Sequence, residues 1–272
     1  MSETEKQRQG QKYSADVHIA EIYDRIETQT DDVELIRHLI GSRNGLNVFE
    51  PFCGTGRIAI PLARDGHHLT VLDESDGMLE RLRQKLQAQP QGVRDRIRIV
   101  RSHVFAAPWP AELDLVLLGG NCFYEVNSSD EQRALIHRAA AALATGGHVF
   151  IDNDDHQSSE LSPKWRTPPG RPQRAFPSGT CEDGTRLEAT TETAWYDVPC
   201  RLVHYIRRLR VSYTDGRTDQ REWRETCRPV VMAEILDWLA TAGLSVEQTF
   251  GDRTAAPYGP SSPRAVIWAR KD

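Results

Sequence analysis

The sequence lacks long hydrophobic runs and has few cysteines. Its five cysteines are scattered through 272 residues without a Cys-x-x-Cys pair, which argues against a zinc site and a disulfide framework. No apolar run approaches the roughly 20 residues that a membrane helix needs. Residues 1–12 are polar and charged, unlike a secretory signal. We therefore expect a cytoplasmic protein with reduced thiols and no membrane partner.

An excess of positive charge is also missing. The chain has 34 Lys and Arg against 39 Asp and Glu, which gives a net charge of −5 and a pI near 6.0. Such a balance provides no general attraction to phosphate backbones, so we expect no nucleic-acid partner. The length suits one large α/β domain, or one such domain with an insertion.

The most informative stretch is 46–79, which reads as strand, glycine turn, helix, strand and acidic tip. Gly54 and Gly56 allow a sharp turn and a close approach of backbone N–H groups to a ligand. The helix start that follows favours an anionic group. Asp73, at the end of the second strand, can accept both hydroxyls of a ribose. The pattern predicts a site for a nucleoside with an anionic tail, and the dinucleotide fingerprint also fits this spacing.

Residues 50–57 (Glu-Pro-Phe-Cys-Gly-Thr-Gly-Arg) and 72–75, together with Met78 and Leu79, resemble motifs of the class I S-adenosylmethionine-dependent methyltransferases. The resemblance runs from about Tyr13 to the end of the chain, with a variable segment between His156 and Pro229. It implies S-adenosylmethionine as cofactor. It also implies a doubly wound α/β fold with a mostly parallel, seven-stranded Rossmann-like sheet and a C-terminal antiparallel hairpin. Phe52 stands where the family usually has its first glycine.

The resemblance also implies a set of cofactor-binding residues. In it Asp73 holds the ribose, and Glu74 and Met78 flank the adenine. His103 takes a place where the family usually has an acid near the adenine amino group, and a neutral histidine can accept one hydrogen bond there. The expected set is Glu50, Phe52, Cys53, Gly54, Thr55, Gly56, Asp73, Glu74, Met78, Ser102, His103, Val104 and Asn121.

The rest of the chain predicts an inserted antiparallel sheet and a family-like ending. Alternating residues over 187–195 and 203–213, with a hairpin signal at 215–216, indicate antiparallel strands. Residues 158–184 are rich in Pro, Ser, Gly and Arg, and we interpret them as a long loop. The helix–strand–loop–strand of 232–269 is similar to the family's final hairpin, which dinucleotide dehydrogenases do not usually have.

Three regions are expected along the chain. Residues 1–12 form a flexible N-terminus. Residues 13–156 and 229–272 form the methyltransferase-like domain with an N-terminal helical lid. Residues 157–228 form an inserted loop and sheet that cover the substrate.

Candidate acceptor-binding residues follow from this organisation: Tyr13, Tyr23, Asn121, Tyr124, Trp195, Tyr205 and Arg208. Asn121 and Tyr124 follow a strand next to the topological switch, where ligands bind in open parallel sheets. Tyr13 and Tyr23 fit two interpretations equally well: aromatic residues of a lid over the cofactor, or partly buried aromatic residues of a helix. The arginines of the insert fit either exposed cross-strand pairs or a clamp on an anionic substrate. The acidic run at 152–156 is typical of a solvated strand exit, so we expect no metal.

These features predict methyl transfer to a nitrogen or oxygen of a small molecule, an anionic one among the options, in natural-product biosynthesis. His156, His204 and Tyr13 are possible bases, but the sequence does not choose among them, so no catalytic residue is assigned. Two alternatives remain: a fold repurposed for a non-methylating displacement or cyclisation, and a subunit of a heteromeric complex. The aromatic residues of the insert also permit a dimer or heteromer through that sheet.

Overall fold

The computed structural model describes residues 17–154 and 170–272, which form two β-sheets and the helices packed on them. The helices are α1 (Val17–Ile26), α2 (Asp31–Ile40), α3 (Ala59–Arg64), α4 (Asp76–Gln87), α5 (Gln91–Arg94), α6 (Ser129–Ala142) and α7 (Met232–Thr241). The strands are β1 (Asn47–Pro51), β2 (His68–Asp73), β3 (Ile97–Arg101), β4 (Leu113–Leu118), β5 (Leu143–Asp154), β6 (Gln173–Thr180), β7 (Arg186–Asp197), β8 (Leu202–Ser212), β9 (Thr218–Cys227), β10 (Leu244–Phe250) and β11 (Arg264–Lys271). Within these ranges, each helix is too short or too polar to cross a bilayer.

The large sheet has seven strands in the order β10-β11-β5-β4-β1-β2-β3. Strands β1 to β5 are mutually parallel, whereas β11 and β10 run antiparallel to their neighbours. Apolar clusters cover both faces of this sheet, which is why its strands read as continuous apolar runs. The chain order reverses between β4 and β1, and ligands bind in the crevice at such a switch. The predicted fold class is confirmed.

The small sheet has four antiparallel strands in the order β6-β7-β8-β9 and lies within the predicted insertion. The hairpin predicted at 215–216 is confirmed, because the N–H of Tyr213 donates to the carbonyl of Arg217 across the turn. The prediction of a loop over 158–184 is wrong for β6. Pro177 and Gly179 are atypical of strands, which is why the sequence did not predict β6. They are tolerated because β6 is an edge strand with an irregular register. Residues 155–169 lie outside the described part of the chain.

The small sheet is attached to the large one at two places. At one end, apolar side chains of β7 and β8 pack on α1 and on Met78 at the start of α4. At the other end, Val203 and Cys227 pack against Tyr124, which follows β4. Met78 follows β2, and β1 lies between β2 and β4 in the large sheet. The middle of the small sheet therefore lies over the carboxyl end of β1.

Candidate active site

The loop after β1 has three residues with positive φ in close succession: Phe52 at 62°, Gly54 at 53° and Gly56 at 76°. At Gly56 a Cβ would meet Leu82 Cδ1 at 2.4 Å, so only glycine fits. Phe52 adopts a conformation that costs a side-chain-bearing residue about 1 kcal/mol. Its ring packs against the core cluster that contains Phe49, so the phenyl group is anchored on the core side.

Asp73 lies beside this loop, as the sequence predicted. Its two carboxylate oxygens accept the backbone N–H groups of Gly54 and Ser75, both at 2.8 Å. Burial raises the pKa of Asp73 to about 6, while these two donors lower it. The carboxylate is therefore mostly ionised at neutral pH and fixed by the backbone. Its role as ribose acceptor stays a prediction.

Glu50 ends β1 beneath the loop and is 6% exposed. Burial raises its pKa to about 8, with the charge of Arg57 opposing the shift and those of Asp32 and Asp73 adding to it. It accepts a hydrogen bond from the backbone of Ala59, but within the described residues its Oε2 has no partner. A buried carboxylate oxygen without a partner is costly. This atom fits the ammonium group of a bound amino-acid moiety.

The end of β3 presents a histidine with a defined tautomer. The backbone N–H of Phe105 donates to Nδ1 of His103 at 3.3 Å, so the neutral ring carries its proton on Nε2. Nδ1 is therefore occupied as an acceptor and Nε2 is left as a donor, and the role of His103 at the adenine stays a prediction. Ser102 is half-buried, and its backbone N–H donates to the carbonyl of Asp73. Val104 is buried, and its carbonyl accepts from Trp109.

Helix α1 is fastened to the loop by Asp24. This carboxylate accepts from the hydroxyl of Thr55 at 2.6 Å, from Lys85 at 2.8 Å and from Arg81 at 2.9 Å. Burial raises the pKa of Asp24, but these hydrogen bonds outweigh it and hold the pKa below its usual value. The predicted helical lid is therefore tied to both the glycine loop and α4. No local sequence pattern pointed to Asp24.

Tyr23 lies on the same helix, next to the loop. It hydrogen-bonds to Arg57, and burial raises its pKa. Arg57 is itself held by the fully buried Asp32 through bonds of 2.7 and 2.5 Å. The ring of Tyr23 meets that of Phe176 edge-on at 6.2 Å. Tyr23 thus joins the loop to β6, while Tyr13 lies outside the described residues.

Asn121 and Tyr124 lie together after β4, as expected. Asn121 has a φ of 65°, and its Oδ1 accepts from the backbone N–H of Asp154 at 2.7 Å and from Arg264 at 3.0 Å. The hydroxyl of Tyr124 donates to the carbonyl of Asp154 at 3.3 Å. Burial raises the pKa of Tyr124 well above its usual value, and Asp154 adds to the shift. These groups form a fixed wall at the end of β4.

The acidic residues at the end of β5 are paired with arginines, so the expectation of a solvated strand exit is wrong for Asp152. Asp152 is fully buried and accepts from Arg253 at 2.9 Å and from Arg264 at 2.5 Å. Arg264 also binds Asp154 at 2.6 Å. Among the described residues, no group of three metal-ligating side chains forms. Asp155 and His156 lie outside the described residues.

The structure does not bring every predicted acceptor residue to the crevice. Trp195 and Arg208 share the outer face of the small sheet, since their register positions alternate with those of the buried Val203. Trp195 is 49% exposed and stacks on His204 at 3.9 Å. Arg208 pairs with two glutamates, Glu192 and Glu222. Tyr205, by contrast, lies on the inner face with Arg207.

Comparisons with known proteins agree with this geometry. Residues 48–147 match the sequence model of a family described as a methyltransferase domain. The cypemycin N-terminal methyltransferase of a Streptomyces species is 25% identical over 227 residues, which cover 82% of each chain.

Two solved structures share the fold at low sequence identity. An S-adenosylmethionine-dependent methyltransferase from Clostridium acetobutylicum has a TM-score of 0.71 and 16% identity, covering 92% of this chain and 96% of that one. CalS10 from Micromonospora echinaspora, an amino pentose methyltransferase with S-adenosylmethionine bound, has a TM-score of 0.60 and 16% identity, covering 100% and 98%.

The sheet order, the glycine loop and the carboxylate beside it define a class I nucleoside-binding fold. Residues 48–147 match a methyltransferase domain, and the whole chain is similar in fold to S-adenosylmethionine-dependent methyltransferases. Within the described residues, the unpartnered oxygen of Glu50 and the bonds of Asp73 are consistent with the ammonium and ribose groups of S-adenosylmethionine.

Proposed function

We propose that the protein transfers the methyl group of S-adenosylmethionine to an amine nitrogen of a polar small molecule, as a tailoring step of natural-product biosynthesis. The acceptor lies in the crevice between the carboxyl ends of β1 and β4 and the inner face of the small sheet. One observation carries the proposal: the small sheet packs on Met78 at one end and on Tyr124 at the other. Its middle therefore roofs the glycine loop.

The side chains around this crevice favour an amine over a hydroxyl. A hydroxyl acceptor needs a general base near neutral pH, whereas an unprotonated amine does not. Burial raises the pKa of both Tyr23 and Tyr124, so each holds its proton tightly. His204 lies on the outer face with Trp195. Within the described residues, these candidates do not supply the base that an oxygen acceptor would require.

The relatives support the same conclusion. The cypemycin enzyme is named for an N-terminal amine, and CalS10 is named for an amino pentose. Both names point to an amine nitrogen as the methyl acceptor.

When bound, S-adenosylmethionine would supply an activated methyl group, whose carbon bonds to the amine nitrogen as its bond to sulfur breaks and S-adenosylhomocysteine leaves. The chain's own part is binding and alignment. Glu50 and Asp73 would hold the ammonium and the ribose, and the glycine loop brings its backbone close to the ligand. Asp24 keeps α1 closed over that loop. Tyr124 and Asn121 fix the wall at the end of β4, where the acceptor amine would lie, and the proton it loses passes to water.

A matched pair of acceptors tests the proposal. The purified protein is incubated with S-adenosylmethionine and either an amino sugar or the same sugar with a hydroxyl in place of the amine. We expect S-adenosylhomocysteine release and a methylated product with the amino sugar alone. Methylation of the hydroxyl analogue at an equal rate would contradict an amine acceptor.

Association through the small sheet stays a prediction. Its outer side exposes 49% of Trp195, and Val198 near the β7–β8 turn is 64% exposed. These two residues are the contacts that such an interface would use.

A further inference from the structure

One row of side chains crosses the inner face of the small sheet. In the strand register, Arg207 of β8 lies opposite Thr191 of β7 on one side and Trp223 of β9 on the other. Arg207 shares its face with Leu209 and Val203, which are 3% and 0% exposed. We call Thr191, Arg207 and Trp223 the polar row.

The polar row lies between the two attachments of the small sheet. The row on one side contains Leu209, which packs in the cluster with Met78. On the other side, two rows away, Val203 and Cys227 pack against Tyr124. The polar row therefore lies above the glycine loop, between the residues that follow β2 and β4.

Two polar atoms of this row have no partner. Both Thr191 Oγ1 and Trp223 Nε1 are buried and form no hydrogen bond within the described parts of the chain. A buried donor without a partner costs about 1–3 kcal/mol. The two atoms flank Arg207 on the inner face of the small sheet, and they indicate a place where a ligand completes the hydrogen bonds.

The charge of the row is already balanced. Glu225 lies on the next row and is 7% exposed, and its Oε2 is 2.7 Å from Nε of Arg207. A second contact of 3.3 Å joins Nη2 of Arg207 to Oε1. Because the guanidinium is paired, the row offers an anion no uncompensated positive charge. What remains for a ligand is one hydroxyl and one indole N–H, which suit an uncharged oxygen.

We propose that the polar row is the acceptor-recognition subsite and that it binds a neutral oxygen, such as a hydroxyl, ether or amide carbonyl, on the molecule that carries the reacting amine. This inference rests on the proposed function and names its substrate class: amino sugars and amines of peptides or amides, rather than amines that bear a carboxylate or phosphate. It replaces the anionic acceptor that the arginines of the insert suggested.

The indole N–H of Trp223 provides a direct readout. In a proton–nitrogen correlation spectrum its signal is assigned by its loss in Trp223→Phe. The protein, saturated with S-adenosylhomocysteine, is titrated separately with D-glucosamine, glycinamide and glycine at tens of millimolar. Glycinamide carries a neutral amide where glycine carries a carboxylate. We expect the Trp223 signal to move with the first two probes and to stay in place with glycine.

Substitutions on the inner and outer faces of the small sheet test whether the polar row binds the probe. Thr191→Val removes the hydroxyl with little change of shape, and Trp223→Phe removes the indole N–H together with one ring. Each should weaken binding of D-glucosamine about fivefold. Their controls lie on the outer face: Thr190→Val on the same strand and Trp195→Phe, both with unchanged affinity. Affinity for S-adenosylhomocysteine should stay the same in all four variants.

The proposal is overturned if the Trp223 signal stays in place with both neutral probes, or moves equally with glycine. Equal weakening by the inner-face and outer-face variants would overturn it as well. Failure of the proposed function looks different, because it would show as methylation of a hydroxyl in place of an amine.

Discussion

The glycine loop and the polar row lie on opposite sides of one crevice but depend on different parts of the chain. In the loop, backbone N–H groups and φ angles do most of the work, and Asp73 is held by two of those N–H groups. In the polar row, the backbone is engaged in strand pairing, and the side chains of Thr191 and Trp223 are the groups that we propose to bind the ligand.

This difference explains why the sequence pattern of the glycine loop was recognised and that of the polar row was not. A loop that binds through its backbone restricts a few positions to glycine, so its sequence motif is recognisable in distantly related chains. A row of side chains can change with the acceptor while the strand pairing stays intact. We therefore infer that the cofactor side of the crevice is general and that the small sheet carries the acceptor specificity. The following substitutions test that division.

Gly56→Ala should have the largest effect. The new Cβ would lie 2.4 Å from Leu82 Cδ1, at a φ of 76°. Steric overlap and backbone strain together should lower the free energy of unfolding by about 2–5 kcal/mol. Urea denaturation measures it. Gly54→Ala is the control, because its Cβ meets no atom within 4 Å and strain alone costs about 1–2 kcal/mol. Equal losses in the two variants would contradict the close packing at Gly56.

Glu50→Gln should come next. With a pKa of about 8, Glu50 is mostly protonated at pH 7 in the unliganded protein. An incoming ammonium favours the ionised form, so binding of S-adenosylhomocysteine should release about one proton at pH 7. Calorimetry in buffers of different ionisation enthalpy measures this release. The variant should release almost none and bind about 10–100-fold more weakly.

The same group makes a prediction about stability. Its folded pKa is raised, so the unliganded protein loses stability as pH rises from the ordinary carboxyl range to about 8. Glu50→Gln should remove that part of the loss. Glu80→Gln, at an exposed position of α4, is the control. In the calorimetric experiment, proton release that persists in Glu50→Gln would rule out Glu50 as the group that loses the proton.

Asp24→Asn should have the smallest effect of the three. It weakens the hydrogen bonds that fasten α1 to Thr55 and to Lys85. We expect a loss of about 1–2 kcal/mol in unfolding free energy, and a fewfold loss of cofactor affinity because α1 closes over the loop. Glu27→Gln, an exposed change just after α1, should leave both unchanged. An unfolding midpoint that does not move in Asp24→Asn would refute the role of this carboxylate.

Features set by local patterns could be predicted from the sequence. The location of Asp73 beside Gly54 follows from the strand–turn–helix–strand spacing, and the hairpin at 215–216 follows from its turn residues. The edge strand β6 was missed because Pro177 and Gly179 break the pattern of a strand. An edge position permits them, and that position is a tertiary property.

Pairing between distant segments could not be predicted. Asp24 and Lys85 are 61 residues apart, and no local pattern joins them. One signal was present and not used: Val203, Tyr205, Arg207 and Leu209 alternate along β8, which places Arg207, rather than Arg208, on the inner face. The tautomer of His103 depends on a backbone N–H that only coordinates reveal.

The central claim is that this crevice binds the adenosyl cofactor through Glu50, Asp73 and the glycine loop. Calorimetric titration of the wild-type protein and of Asp73→Ala with S-adenosylhomocysteine tests it most directly. The account predicts micromolar binding by the wild type and about 10–100-fold weaker binding by the variant. No measurable binding by the wild type, or equal affinity in the variant, would contradict it.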